Sequence, residues 1–241
     1  MKYTPKPLQG NVNVSPTSPL KELFLLLGGL IGIMIIVYLV LGLAVDVIVP
    51  RLPAGLERHL GVLYSDVFDQ RNPSPADQAL QELLETLIAA SPTLTEPYQV
   101  HLIPSSQANA LALPGGHIVI LSELLHVLAS ENELAFILAH ELGHFANRDH
   151  LKGLGRGLVL TAISAFFIGV ESNLTSFLMR SLVGVEMQFS QRQETQADLF
   201  ALELLNAHYG HVAGATAFFE TLTEDSTRSR LSYFFATHPY P

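Results

Sequence analysis

The sequence predicts an α+β fold that is mainly helical, contains a small β-sheet and is preceded by one transmembrane helix. Residues 23–45 contain no charged side chain. At the helical rise this run is roughly 35 Å long, sufficient to cross a bilayer core of about 30 Å. Further on, the apolar runs 108–113 and 117–121 flank Pro114-Gly115-Gly116, a pattern typical of a β-hairpin. Several other segments show the apolar spacing of helices, so the sheet is a minor part of the fold.

The composition favours a membrane protein and excludes two kinds of site. Hydrophobic residues make up 49% of the 241 residues and charged residues 15%, and the mean hydropathy is positive, which is unusual for a soluble protein. The net charge is −9 with thirteen Lys and Arg, so the chain lacks the basic footprint of a nucleic-acid-binding protein. Because there is no cysteine, no disulfide can form, and any metal ion must be held by His, Asp or Glu.

The chain is expected to divide into three regions: a flexible tail over residues 1–22, a transmembrane helix over 23–49 and a folded domain over 57–241. The tail is rich in proline and small polar residues, which favour an extended conformation. A cleaved signal peptide is the alternative to the anchor, although the apolar run begins late and is longer than a signal sequence requires. Basic residues on the two flanks nearly balance, so the side of the membrane that holds the domain stays undetermined.

A helix and three strand-like runs begin the folded domain. Ser74-Pro75-Ala-Asp77 predicts a helix start, and the segment that follows carries one apolar stripe, formed by Leu80, Leu83, Leu84, Leu87 and Ile88. A strand-like run over 98–103 precedes the hairpin. An exposed sheet edge can bind an extended peptide through main-chain hydrogen bonds, which makes the hairpin a candidate substrate site. The alternative is that the hairpin only covers the core.

The motif His140-Glu-Leu-Gly-His144 is the strongest chemical signal in the sequence. It lies in a predicted helix that begins with a capping pattern at Ser130 and continues to about Asn147. Residues four apart share a helix face, so the two imidazoles can bind one metal ion, with Glu141 beside it. Zinc in catalytic sites takes three protein ligands and a water whose pKa falls to about 7. The motif therefore predicts a zinc site with its own general base.

Two segments after the motif helix carry weaker signals. Gly153-Leu-Gly155-Arg-Gly157 lacks the lysine and the preceding strand of a phosphate-binding loop, so it predicts a flexible joint. Residues 158–170 are apolar and lie between Arg156 and Glu171. A run of thirteen residues favours a core or interfacial helix over a second membrane span.

The third zinc ligand is predicted in Glu194-Thr-Gln-Ala-Asp198, at the head of another helix. Glu194 and Asp198 are four residues apart and share a face, so Glu194 can complete the zinc shell. Asp198 can then accept a hydrogen bond from a ligand histidine and hold its ring. The alternative is an ordinary helix start enriched in acidic residues.

The order and spacing of these motifs resemble the HtpX and CAAX-prenyl-protease family of membrane-associated zinc metallopeptidases, a gluzincin family that includes BepA-like enzymes. The resemblance covers residues 57–241 and is carried by four segments: Asn109-Ala110 with Pro114-Gly115-Gly116, Leu138-Ala-His-Glu-Leu-Gly-His144 with Asn147-Arg148, Ser190 through Glu194-Thr-Gln-Ala-Asp198, and Thr237-His238-Pro239. It implies a zincin-like metalloprotease domain. It also implies residue roles: zinc ligation by His140, His144 and Glu194, general base catalysis by Glu141, ligand orientation by Asp198, oxyanion stabilisation by His238, and substrate binding by Asn109 and Ala110.

The implied function is that of a membrane-anchored zinc endopeptidase with one zinc ion per chain. Its expected partners are protein or peptide substrates and the lipid bilayer; the oligomeric state is undetermined. The resemblance further implies protein quality control in a single-pass protein of a prokaryotic inner membrane. Two features depart from the family: Gln191 stands where an arginine is usual, and the sequence ends at Pro241 where the family continues, which raises the expectation of a truncated chain.

Two alternatives remain open from the sequence. In the first, His150 is the third ligand, because its spacing from His144 is that of a metzincin with Asn147 in place of glycine. In the second, the chain is a non-enzymatic or latent zinc-binding membrane protein with a chaperone or adaptor role. Glu141 counts against the second alternative, since a purely structural zinc site needs no base.

Overall fold

The computed structural model describes residues 18–68, 73–174 and 189–221, together with Leu231, Phe234 and His238. Its helices are α1 (Pro19–Ile48), α2 (Ala54–Phe68), α3 (Pro75–Ala89), α4 (Ser122–Val127), α5 (Glu131–Ala146), α6 (Asp149–Ile168), α7 (Gln191–Tyr209) and α8 (Ala213–Thr221). The strands are β1 (Gln99–Ile103), β2 (Ala110–Leu113) and β3 (His117–Leu121). The predicted mainly helical α+β fold is therefore confirmed.

The chain divides into two compact units, Met1–Val40 and Leu41–Pro241. In the first unit, α1 exposes most of its large apolar side chains. The helix begins at Pro19, so residues 19–22, which the sequence assigns to the tail, are helical. Proline is tolerated there because the first turn of a helix leaves its N–H groups without a helical partner. Residues 1–17 of the predicted tail lie outside the described residues.

Within the part of the chain that the structure describes, two helices are long and apolar enough to cross a bilayer, at Pro19–Arg51 and Asp149–Ile168. In the most apolar 18-residue stretch of each helix, the buried share is 0% for the first helix and 22% for the second. The first contains the run predicted as the anchor. A 3-10 turn at Val49–Arg51 follows α1 and leads to α2, a helix that the sequence analysis did not predict.

The three strands form one sheet in the order β1-β3-β2. The predicted hairpin is confirmed, because β2 pairs antiparallel with β3. Gly116, in the turn, has a φ of 83°, and a Cβ added there would lie 2.2 Å from the carbonyl oxygen of Pro97. This approach requires glycine. Strand β1 pairs parallel with β3, a pairing that the strand pattern alone did not predict.

Helix α5 runs through the core and contacts α7, α8, β2, α3 and α6. It begins as predicted: the Ser130 hydroxyl accepts from the backbone N–H of Glu133, and Asn147 caps its C-terminus. Apolar side chains of α5 are fully buried, among them Ile137, Leu138 and Leu142. Because α5 is enclosed on several sides, the polar residues of its motif are buried with it.

The glycine-rich segment 153–157 is part of α6, so the predicted flexible joint was wrong. A Cβ on Gly155 would lie 2.8 Å from Cγ1 of Val45. The glycine therefore lets α6 pack closely against the end of α1, and this packing outweighs the cost of about 1 kcal/mol for glycine in a helix.

Candidate metal centre

The motif side chains meet α7 where two helices cross closely. A Cβ on Gly143 would lie 2.9 Å from Cα of Ala197 on α7, so glycine at this motif position permits the close approach of the two backbones. The approach brings Glu194, near the start of α7, to His140 and His144. All three side chains are buried. Helix α7 is held at its start by a capping box between Ser190 and Gln193.

Donor atoms of these three residues converge on one point. Nε2 of His140 lies 3.1 Å from Nε2 of His144. The two carboxylate oxygens of Glu194 lie 3.5 Å from these nitrogens, Oε2 from His140 and Oε1 from His144. In a tetrahedral zinc site with bonds of about 2.1 Å, ligand atoms are about 3.4 Å apart. The donor set therefore fits a zinc ion.

Each histidine donates a hydrogen bond to a carboxylate through Nδ1, the ring nitrogen that does not face the shared point. Nδ1 of His140 donates to Oδ1 of Asp198 at 2.8 Å, and Nδ1 of His144 donates to Oδ2 of Asp149 at 3.2 Å. A carboxylate can only accept, so in the neutral rings the proton is on Nδ1 and the lone pair is on Nε2. Both lone pairs thus face the shared point, as binding of one cation requires.

Asp149 was not predicted as part of the site. Arg148, directly before it, has the left-handed φ of 55°, and this turn between α5 and α6 carries the chain back beneath His144. Asp149 is fully buried and also accepts a hydrogen bond from Lys152. The only signal in the sequence was an aspartate five residues after a motif histidine. The turn that brings this aspartate to His144 depends on tertiary packing.

The pKa shifts of His140, His144 and Glu194 reflect the charges that surround them. Burial lowers the pKa of His140, but its contacts with Asp198 and Glu194 and the charge of Glu141 outweigh burial and raise the pKa to about 10. For His144, burial is likewise outweighed by Asp149 and Glu194, and the pKa rises. Burial raises the pKa of Glu194, yet its three histidine neighbours lower it overall. The local field thus favours positive charge between these groups.

Several buried acceptor atoms have no hydrogen-bond partner among the described residues. They include both carboxylate oxygens of Glu141 and Oε1 of Glu194. Unpaired buried oxygens are costly, and a bound cation beside them would offset that cost. These orphaned atoms are a second observation that fits a metal ion. They also leave the carboxylate of Glu141 free to take up a proton.

His238 joins the same group. Its Nδ1 lies 3.2 Å from Oε2 of Glu194 and 3.3 Å from Nε2 of His140, while its Nε2 lies 3.4 Å from the Ala110 carbonyl oxygen and 3.6 Å from Oε1 of Glu141. Candidate ligand atoms of His140, His144, Glu194 and His238 all lie within 4.8 Å of one another. His238 thus lies within reach of the same point as the other three donors and also beside Glu141.

The other predicted site residues fall in different places. Ala110 reaches the site through its carbonyl oxygen, and buried Asn109 accepts a hydrogen bond from the Ala110 N–H through its side chain. Nε2 of His150 instead donates to Oε1 of Glu57 on α2 at 2.7 Å. Among the described residues His150 is not in the metal-binding group. The geometry therefore does not support the metzincin alternative, because α6 directs this ring toward α2.

Two histidines four residues apart on one helix, a carboxylate from a second helix and a free glutamate beside them define a zincin-type metallopeptidase domain. Residues 74–241 match the family described as Peptidase family M48. The chain belongs to this family. Zinc is the metal of these metallopeptidases, so the predicted class and cofactor are confirmed.

Relatives with curated names agree with this assignment. The chain is 26% identical over 181 residues to mitochondrial metalloendopeptidase OMA1 of Schizosaccharomyces pombe, covering 73% of this chain and 53% of the relative. It is 24% identical over 208 residues to the β-barrel assembly-enhancing protease of Escherichia coli K12, covering 79% and 42%. It is 31% identical over 147 residues to metalloprotease LoiP of the same strain, covering 59% and 57%. The chain thus spans about half the length of these relatives.

Proposed function

We propose that the protein is a membrane-anchored zinc endopeptidase in which His140, His144 and Glu194 bind the metal ion and Glu141 is the general base. The observation that carries this proposal is the free carboxylate of Glu141, buried without a hydrogen-bond partner among the described residues next to three converging donors. A structural zinc site has no use for such a group, whereas peptide hydrolysis needs one.

The proposed mechanism assigns separate tasks to the side chains. Bound zinc would polarise the substrate carbonyl and lower the pKa of water. Glu141 accepts a proton from the attacking water and delivers it to the leaving amine. Nε2 of His238, 3.6 Å from Oε1 of Glu141, donates to the oxygen of the attacked carbonyl as negative charge develops there. Asp198 and Asp149 keep the two imidazoles oriented.

The outer edge of β2 is the proposed substrate site. Leu121 donates to the Asn109 carbonyl oxygen, so by the alternation of an antiparallel pair the main-chain groups of Ala110 and Ala112 face away from β3. The Ala110 carbonyl oxygen is the one that approaches His238. An extended peptide that pairs with this edge would bring a main-chain carbonyl beside the metal centre.

The setting of the enzyme is also a proposal. Helix α1 anchors the chain as a single span in a prokaryotic inner membrane, and residues 57–241 form the catalytic domain. The exposed apolar surface of α1 supports the anchor. Misfolded or membrane-associated proteins are the proposed substrates, with quality control as the purpose. One relative is named for enhancing β-barrel assembly, which agrees with this purpose.

A second candidate is a latent enzyme. Four donors lie within 4.8 Å of one another once His238 is included, and zinc sites closed by four protein ligands are typically structural. In that state His238 would occupy the position needed by substrate, and activity would require its displacement.

The test compares casein cleavage and zinc content in the detergent-purified full chain. Glu141→Gln should keep one zinc per chain and lose activity by at least about 100-fold, while Glu82→Gln, an exposed control on α3, should retain both. Full activity in Glu141→Gln would contradict the proposed base. Replacement of His238 by alanine separates the two candidates: activity falls if His238 stabilises the transition state and rises if it closes the site.

A further inference from the structure

The C-terminal half of helix α6 buries hydroxyl side chains and exposes large apolar ones. Thr161 and Ser164 are buried, and the hydroxyl of Thr161 donates to the Gly157 carbonyl oxygen. Ile163 is buried with them, but the large side chains that are exposed on the same helix are all apolar: Leu158, Leu160, Phe166, Phe167 and Ile168, with Phe166 82% exposed.

Such an arrangement is unfavourable in water. A core helix of the same composition would bury these side chains, but only 22% of the apolar window of α6 is buried. A contiguous apolar patch on a protein surface marks a contact with another apolar phase. The hydrocarbon of a bilayer is such a phase, and it also requires hydroxyls to be satisfied internally, as that of Thr161 is.

The charges around α6 point to the same partner. No charged residue occurs from 157 to 170. Arg156, which bounds this run, donates to both carboxylate oxygens of Asp46 at 2.8 Å. Asp46 is also the residue that ends the uncharged run of α1. One ion pair therefore bounds both apolar runs, at the end of the run in α1 and at the start of the run in α6. This is expected if both runs meet the same membrane surface.

The end of α1 and the start of α6 run antiparallel. Arg148 donates to the carbonyl oxygens of Val49 and Leu52, whereas Gly155, further along α6, lies against Val45, earlier in α1. The apolar part of α6 thus follows a segment that is antiparallel to the last residues of α1, 45–48. From Arg156 to Ile168 the helix extends roughly 18 Å, enough for one leaflet of a core about 30 Å thick.

We propose that the C-terminal part of α6, residues 157–168, inserts into the lipid bilayer as a second membrane contact in addition to the anchor, with the Asp46–Arg156 pair at the membrane surface. Asp149, which contacts His144, precedes Arg156 by seven residues, about 10 Å along the helix. If the proposed function holds, the site then faces peptide segments that lie close to the membrane surface.

The absence of cysteine allows a direct test with single-cysteine variants of the full chain. Phe166→Cys probes α6, Leu30→Cys probes α1, and Leu199→Cys is the matched control, since Leu199 is apolar and 55% exposed on α7. Each variant is labelled with an environment-sensitive fluorophore and reconstituted into phosphatidylcholine vesicles with or without lipids carrying a nitroxide on the acyl chain. Substitution at these exposed positions should leave the fold intact.

The proposal expects several-fold stronger nitroxide quenching at position 166 than at position 199, together with a blue-shifted emission. Quenching at 166 that equals the value at 199 overturns it, whatever happens at position 30. Quenching at 166 without quenching at 30 retains the proposal and removes the anchor role of α1. Because the readout does not depend on proteolysis, it separates this proposal from the proposed enzymatic function.

Discussion

Asp149 accepts a hydrogen bond from Nδ1 of His144 at 3.2 Å, and both side chains are fully buried. The contact joins the first turn of α6 to a proposed metal ligand. Asp198 holds His140 in the same manner from α7, at 2.8 Å. The two imidazoles are therefore oriented by carboxylates from different helices, so both helices must be in place before the site can bind a cation.

The first prediction concerns Asp149. Asp149→Asn removes the charge that orients His144 and should weaken zinc binding about 10- to 100-fold. Competition with a chromogenic chelator measures the affinity. Exposed Glu203→Gln on α7 is the control and should bind zinc like the wild type. Unchanged affinity in Asp149→Asn would show that the contact does not support the ligand.

The second prediction concerns the crossing of α5 and α7. Gly143→Ala places a Cβ 2.9 Å from Cα of Ala197, so we expect a loss of about 1–3 kcal/mol in the free energy of unfolding. Thermal denaturation in detergent measures this loss. Gly55→Ala is the control: its Cβ would meet nothing within 4 Å, and alanine should stabilise α2 by about 0.5–1 kcal/mol. Equal shifts in the two variants would contradict the close crossing.

The third prediction separates His150 from the metal centre. Glu57→Ala leaves the buried Nε2 of His150 without its partner and should lower the free energy of unfolding by about 1–3 kcal/mol, without loss of zinc. Glu194→Ala should instead lose zinc. Denaturation measures the free energy of unfolding of both variants, and metal analysis measures their zinc content. Zinc loss in Glu57→Ala with zinc retained in Glu194→Ala would restore His150 as a ligand.

The fourth prediction tests substrate pairing at β2. Ala112→Pro removes the main-chain N–H that faces away from β3 while sparing the β2–β3 hydrogen bonds. We expect roughly a tenfold lower kcat/KM for an extended peptide, which corresponds to about 1.4 kcal/mol. Ala112→Ser keeps the N–H at similar side-chain size and serves as the control. Equal kinetics in the two variants would exclude pairing through this N–H.

Local patterns in the sequence determined most of what could be foreseen. An uncharged run long enough for a membrane gives a long apolar helix by composition alone. The spacing of His140, Glu141 and His144 places them on one helix by the geometry of a single turn. The hairpin follows from the turn chemistry of Pro114-Gly115-Gly116. Each inference depends on interactions among residues near one another in the chain.

Only the tertiary structure decided which distant groups meet. Asp149 is beneath His144 because Arg148 adopts a left-handed conformation, and His150 turns to Glu57 because α2 packs there. The glycines of 153–157 are helical because Gly155 packs against Val45. No residue pattern specifies these contacts, since they result from helix packing and burial summed over the whole domain. The helical repeat therefore placed the motif residues on one helix face, whereas long-range packing brought the groups that hydrogen-bond to them.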